Sequence, residues 1–114
     1  MQKVADGAAE VELAVQDHHR GGGGTEAVNG GIVAYLFDAA MGLAARSTWD
    51  AGVRGQVTVT MTVQYLAMLE AEHRVRAVGR VVRRGGTTVF TEAEALDERD
   101  AVAARATGIY RLFR

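Results

Sequence analysis

The feature that most constrains this chain is its longest apolar segment, Ile32–Trp49, interrupted by one helix breaker, Gly42, and one carboxylate, Asp38. Ala34, Leu36, Ala39, Ala40, Leu43, Ala44 and Ala45 favour helix. Apolar residues fall on nearly every face of that helix, so it is expected to be buried almost all round. Asn29 stands ahead of it as a candidate N-cap. The chain of 114 residues has room for one domain, read as 1–114, with a modest core that subunit pairing would enlarge. Something must wrap the helix, and the flanking sequence is the first candidate.

That sequence alternates. Ala8–Gln16 places Ala9, Val11, Leu13 and Val15 on one side, a period of two that predicts a strand. Gln56–Tyr65 alternates more cleanly, with Val57, Val59, Met61, Val63 and Tyr65 expected on one face. Arg74–Val82 alternates again, a Gly85-Gly86 turn follows, and Thr87–Leu96 resumes the pattern. Asp97–Asp100 reads as a charged turn and Ala101–Phe113 as a last strand. The reading is an α+β domain: strand, long helix, then four strands in an antiparallel meander, with the helix across the concave face of a curved sheet of about five strands. Between the first strand and the helix lie His18-His19-Arg20 and the glycine run Gly21–Gly24, read as a flexible loop that could also border a site.

Composition removes several classes of function. A formal net charge of −1 is unlike a general nucleic-acid binder. The absence of cysteine excludes disulfides, thiolate metal sites and cysteine nucleophiles. Three histidines, only two of them adjacent, give a metal site little to build on, and no metal is expected. No apolar run reaches the ~18 residues of a membrane span. Met1–Val15 carries Asp6, Glu10 and Glu12 with no basic cluster before an apolar core, so it does not read as a secretory signal, and the expected location is cytoplasmic.

Asp38 is the residue that does not fit its surroundings. It is the only charged residue between Glu26 and Arg46, and an unpartnered buried carboxylate costs several kcal/mol. Either it faces a solvent-lined gap or an arginine, or it is a carboxylate held in an apolar cleft for nucleophilic or general-base work. Asn29-Gly30-Gly31 opens the helix, where free backbone N–H groups at the positive end of the dipole can stabilise a developing oxyanion. Eight residues separate Gly30 from Asp38, about 12 Å along a helix axis. One chain therefore cannot aim both groups at a single small carbonyl. Two helices side by side in opposite senses can, which predicts a two-fold dimer with two sites at its interface.

The stretch NGGIVAYLFDAAMGLAARS resembles the signature of the phenylacetate-pathway (PaaI-like) hotdog thioesterases, in which a His-Gly-Gly start is followed by an Asp about nine residues after the His. The resemblance continues through VTVTMTVQYL and RVVRRGGTTVFTEAEALDERDAVAARATGIY, covering roughly residues 8 to 113. It implies a hotdog fold and hydrolysis of an acyl-CoA thioester to a free acid and CoA. By match, Asp38 attacks the thioester or activates a water, the Gly30 N–H polarises the carbonyl with Gly31 beside it, and Thr58 places the water or substrate. Arg83, Arg84, Gly85 and Gly86 fall on the turn that commonly lies near the CoA nucleotide. CoA enters as part of the substrate, so no separate cofactor is implied. The implied assembly is a dimer at least, with a tetramer of two dimers favoured. Asn29 stands where the family carries His. The family's upstream amide falls on Gly23 without a gap, and a gap would bring His19 there instead.

Two other readings compete. A hotdog protein that only binds acyl-CoA or assembles would gain little from a carboxylate in that helix. A hotdog dehydratase pairs an Asp with a His, and none of His18, His19 and His73 sits in such a motif. The acyl group is not fixed by the sequence; Tyr35, Phe37, Met41, Trp49 and Met68 are candidate lining residues or core.

Overall fold

The computed structural model describes residues 2–21 and 23–114. One helix, α1 (Gly30–Arg46), packs on one face of a six-stranded antiparallel sheet formed by β1 (Gln2–Ala5), β2 (Ala8–Ala14), β3 (Gly55–Tyr65), β4 (Arg74–Arg84), β5 (Thr88–Leu96) and β6 (Val102–Phe113). The strands lie in the order β1-β2-β4-β5-β6-β3. The α+β architecture and the order of elements are as the sequence predicts, with one strand more than expected. That extra strand, β1, pairs with β2 through the two-residue turn Asp6-Gly7. Both turn residues have positive φ, 40° and 85°, the conformation that an Asp-Gly hairpin turn takes up readily. The meander also needs correcting. β4, β5 and β6 follow one another in space, but β3 lies beyond β6 on the far edge.

The helix starts two residues earlier and ends three earlier than expected. Ser47 and Thr48 stop it by turning their hydroxyls back onto the carbonyls of Ala44 and Ala45, each at 2.7 Å. Those bonds satisfy carbonyls that the helix end leaves open.

Small residues set how close helix and sheet come. Ala40, Ala44 and Ala45 on α1 and Ala77 on β4 are fully buried. Gly79 of β4 runs directly under the helix, where a Cβ would lie 2.8 Å from the backbone carbon of Ala40. Around this contact Phe37, Met41, Val33, Val75, Val89, Tyr110 and Leu112 close the core. The helix is not covered all round, however. Gly31 and Tyr35 are exposed, and Asp38 and Gly42 are half-covered. Their spacing of four, three and four residues makes one continuous strip along the helix. The strip is open at Gly31 and Tyr35, whereas Thr58, Tyr110 and Gln56 of the sheet reach its edge at Asp38 and Gly42.

The regular alternation of β3 hides a bulge. Thr58 pairs with Tyr110 but Thr60 pairs with Ile109, so Val59 is the extra residue. Tyr110 and Leu112 face the helix, so their partners Thr58 and Gln56 do too. After the bulge the phase flips, and Met61 and Val63 face inward opposite Gly108 and Ala106. Val57 and Val59 are 48% and 60% exposed, which corrects the expectation of one apolar face. A bulge re-aims side chains in just this way.

Away from the helix the sheet carries cross-strand ion pairs, including Arg76–Glu10, Arg80–Glu92 and Arg105–Glu94. Among the described residues no helix is long and apolar enough to cross a membrane.

Because backbone, not a movable side chain, meets Gly79, Gly79→Ala is expected to destabilise the fold by about 1–3 kcal/mol. Denaturant unfolding measures this, and wild-type stability would contradict the close contact.

Candidate active site

Asp38 lies midway along α1, on the uncovered strip. Two hydroxyls donate to its Oδ1: Thr58 Oγ1 from β3 at 2.8 Å and Tyr110 Oη from β6 at 2.7 Å. Tyr110 Oη also lies 3.1 Å from the Asp38 carbonyl. Among the described residues no Arg, Lys or His forms an ion pair with Asp38. Nor does any group among them donate to Oδ2. The sequence offered a solvent gap, an arginine or a reactive carboxylate; the structure supplies a carboxylate held at one oxygen by neutral donors and open at the other. Burial first, then the hydrogen bond and charge of Asp38, hold the Tyr110 phenol well above its ordinary pKa. Tyr110 therefore stays a proton donor at any working pH.

The start of α1 is built as expected from Asn29. Its Oδ1 accepts the Gly31 N–H at 2.8 Å, and its own N–H donates to the His19 carbonyl at 2.8 Å. Ile32 and Val33 donate to the Asn29 carbonyl at 3.0 and 3.2 Å. The Gly30 N–H is the one amide of this first turn with no acceptor among the described residues. Tyr65 Oη donates to the Gly30 carbonyl at 2.6 Å and ties β3 to the helix start. Gly30 and Asp38 thus stand at two points of one unbroken helix, as their spacing requires, and the chain does not bring them together.

His19 uses its Nδ1 to accept the Gln16 N–H at 2.8 Å, and it reaches the helix start through its carbonyl. Of the glycine run, Gly22 lies outside the described residues. Gly23 has a φ of 76° with open space around its Cβ position, within a loop closed by the Arg20–Val28 bridge.

The two arginines before the β4–β5 turn part company. A second bulge, at Val82, pairs Arg83 with Phe90 and Arg84 with the buried Val89. Arg84 is therefore turned to the helix side. Its guanidinium is spent on the Gly85 carbonyl, on Thr48 Oγ1 at 3.2 Å and on Asp50 Oδ2 at 3.3 Å. Asp50 is in turn held by Arg114 at 2.7 and 2.8 Å, which lowers the Asp50 pKa far below the usual carboxylate range. Arg83 points outward, beside an open depression of about 700 Å³ lined also by Val82, Gly85, Gly86, Thr87, Thr88 and Phe90.

Residues 26–104 match the Thioesterase superfamily. The chain belongs to that family. Thioester hydrolysis is the activity class that membership assigns to this thioesterase. A candidate esterase of Halobacterium salinarum is 34% identical, over all of this chain and 80% of that protein. A candidate esterase of Thermoplasma volcanium is 33% identical over 78% of this chain and 65% of its own length, just under two thirds. A conserved protein of Pseudomonas aeruginosa superposes with a TM-score of 0.86 at 31% identity, covering 97% of this chain and 85% of that one. A Bacillus halodurans protein crystallised with CoA superposes at 0.83 with 25% identity, covering 93% and 68%. The Escherichia coli PaaI protein, from the phenylacetic acid degradation operon, superposes at 0.84 with 22% identity over 96% and 75%, a likeness of fold. The hotdog fold and the PaaI-like resemblance are thereby borne out.

Of the candidate acyl-lining residues, Phe37 and Met41 are fully buried core of the thioesterase. Trp49 is half-buried, with its indole N–H on Gln56 at 3.0 Å. Tyr35 and Met68 are exposed, at 73% and 60%. Tyr110 and Tyr65 were not singled out from the sequence. The available signal for Tyr110 was its place on the inward phase of the last strand, because a buried tyrosine hydroxyl needs a partner and Asp38 needed a donor.

Proposed function

We propose that this thioesterase hydrolyses an acyl-CoA to a free acid and CoA, with Asp38 as nucleophile or general base and the Gly30 N–H of a second copy as the carbonyl's donor. The observation that carries this is the Asp38 carboxylate on the open helix strip, with Oδ1 held by hydroxyls and Oδ2 unengaged. As a base, Oδ2 takes a proton from water while the oxygen bonds to the thioester carbon. As a nucleophile, Oδ2 bonds to that carbon itself, giving an acyl-enzyme anhydride that water opens. In both routes the C–S bond breaks, the thiolate leaves with the electron pair, and a proton returns to it. The negative charge that develops on the carbonyl oxygen suits an unspent N–H at a helix start.

Two features support a second copy. The helix strip around Asp38 is uncovered, and β3 is an uncharged 11-residue edge strand with Val57 and Val59 exposed. An edge of that length is a ready template for pairing with another strand. Antiparallel pairing of two β3 edges would continue the sheet and bring two helices side by side in opposite senses. A tetramer would need a further interface between two such dimers.

The nucleotide of CoA is proposed to run past the β4–β5 turn, with a phosphate at Arg83 and the backbone of Gly85 and Gly86. Arginine suits phosphate through paired N–H donors. Arg84 holds the turn in place. No metal is required in this reading, and among the described residues no three His, Asp or Glu side chains cluster as a metal site.

Asp38→Asn retains an oxygen for Thr58 and Tyr110, so the variant is expected to fold while losing about 10²–10⁴-fold in kcat on acyl-CoA. Thiol release measures this, and near-normal turnover by the folded variant would remove Asp38 from the chemistry. Arg83→Ala is expected to raise KM for acyl-CoA several-fold with little change in kcat, and to leave a short thioester without the nucleotide unaffected. An unchanged KM for acyl-CoA would move the nucleotide elsewhere.

A further inference from the structure

Asp38 is unusual in how it is held. A carboxylate meant to stay ionised is commonly paired with a cation, which lowers its basicity along with its pKa. Here its partners among the described residues are two neutral hydroxyls, both on Oδ1 and on different strands, Thr58 on β3 and Tyr110 on β6. Two donors converging on one oxygen fix the rotation of the carboxylate plane about the Cβ–Cγ bond, and the other oxygen is then aimed without being used. The two donors differ in rigidity. Thr58 sits beside the Val59 bulge, on an edge strand, at an exposed position. Tyr110 is 2% exposed, fully paired between β5 and β3, with its ring under the helix alongside Gly42, whose Cβ position is 3.5 Å from the ring. Its hydroxyl reaches both the carboxylate and the backbone carbonyl of the same residue, so it registers the Asp38 side chain against the Asp38 main chain.

We propose that Tyr110 is a positioning residue of the hydrolytic reaction: its hydroxyl pins Asp38 Oδ1 and so makes Oδ2 the single oxygen that attacks the thioester or accepts the water's proton. This rests on Asp38 being the reacting carboxylate. Tyr110 does not touch substrate; it acts through Asp38. Among the described residues the side chains that donate to Asp38 are those of Thr58 and Tyr110, so removing the tyrosine hydroxyl leaves a single donor, on an edge strand, to hold the orientation of the carboxylate.

The test uses the assembled protein and its acyl-CoA turnover. Tyr110→Phe keeps the ring and is expected to lower kcat about tenfold, the scale of one hydrogen bond to a charged group, while leaving KM for acyl-CoA nearly unchanged. A 3-fluorotyrosine at position 110 keeps both the packing and the hydroxyl donor and is expected to keep kcat near the wild-type value. In an Asp38→Asn background, Tyr110→Phe should cost nothing further, because the two residues act as one unit. Wild-type kcat in Tyr110→Phe, or an undiminished tenfold loss in the Asp38→Asn background, overturns the proposal by reducing Tyr110 to packing. If Asp38→Asn alone turns over normally, the assignment of Asp38 fails instead, a distinct result.

Discussion

A 17-residue helix laid on one face of a sheet is covered on one side only, and the rest of this molecule follows from that geometry. The covered side is packed tightly because Ala40, Ala44, Ala45, Ala77 and Gly79 remove the bulk that would hold helix and sheet apart. That close approach lets short side chains reach between layers. Thr58 and Tyr110 meet Asp38 directly from the sheet, with no long cationic side chain needed to bridge the gap. The other side leaves Gly31 and Tyr35 exposed and Asp38 and Gly42 half-covered along one line. A second copy of the chain is the cover proposed for that line.

Two bulges aim the site. Without the extra residue at Val59, the phase of Met61 and Val63 would run back to put Val57 and Val59 inward and Thr58 outward, away from Asp38. Without the one at Val82, Arg84 would lose its place beside Thr48 and Asp50 and Arg83 would turn inward. The Arg84, Asp50 and Arg114 cluster then fixes the β4–β5 turn against the end of the helix.

Much of this was legible in the sequence. The helix, four of the strands and the long final strand follow from periodicity alone, and the helix cap follows from Asn29. The prominence of Asp38 came from its isolation in an apolar segment. What could not be read were the departures from regularity. QVTVTMTVQY alternates so evenly that no residue marks the bulge, because the bulge is a property of pairing with β6 and not of the strand itself. The uncovered helix strip was invisible because Gly31, Tyr35 and Gly42 look no more polar than their neighbours. Arg83 and Arg84 are alike as residues, and only the partner strand decides which one faces Asp50. Asp6-Gly7 did carry a hairpin signal, and its strand β1 was lost only because the four residues before it show no clear pattern. Tyr110 required joining two needs from distant parts of the chain, a buried hydroxyl and an unpaired carboxylate.

The central claim is that each reaction centre joins Asp38 of one chain to Gly30 of another. Mixing Asp38→Asn subunits with Gly30→Val subunits tests it most directly, provided each variant is first shown to fold and the mixed dimers are verified. A mixed dimer carries one centre with both defects and one with neither, so inactive parents are expected to yield activity approaching half that of the wild-type dimer. Verified mixed dimers that remain as inactive as their parents would contradict the shared site.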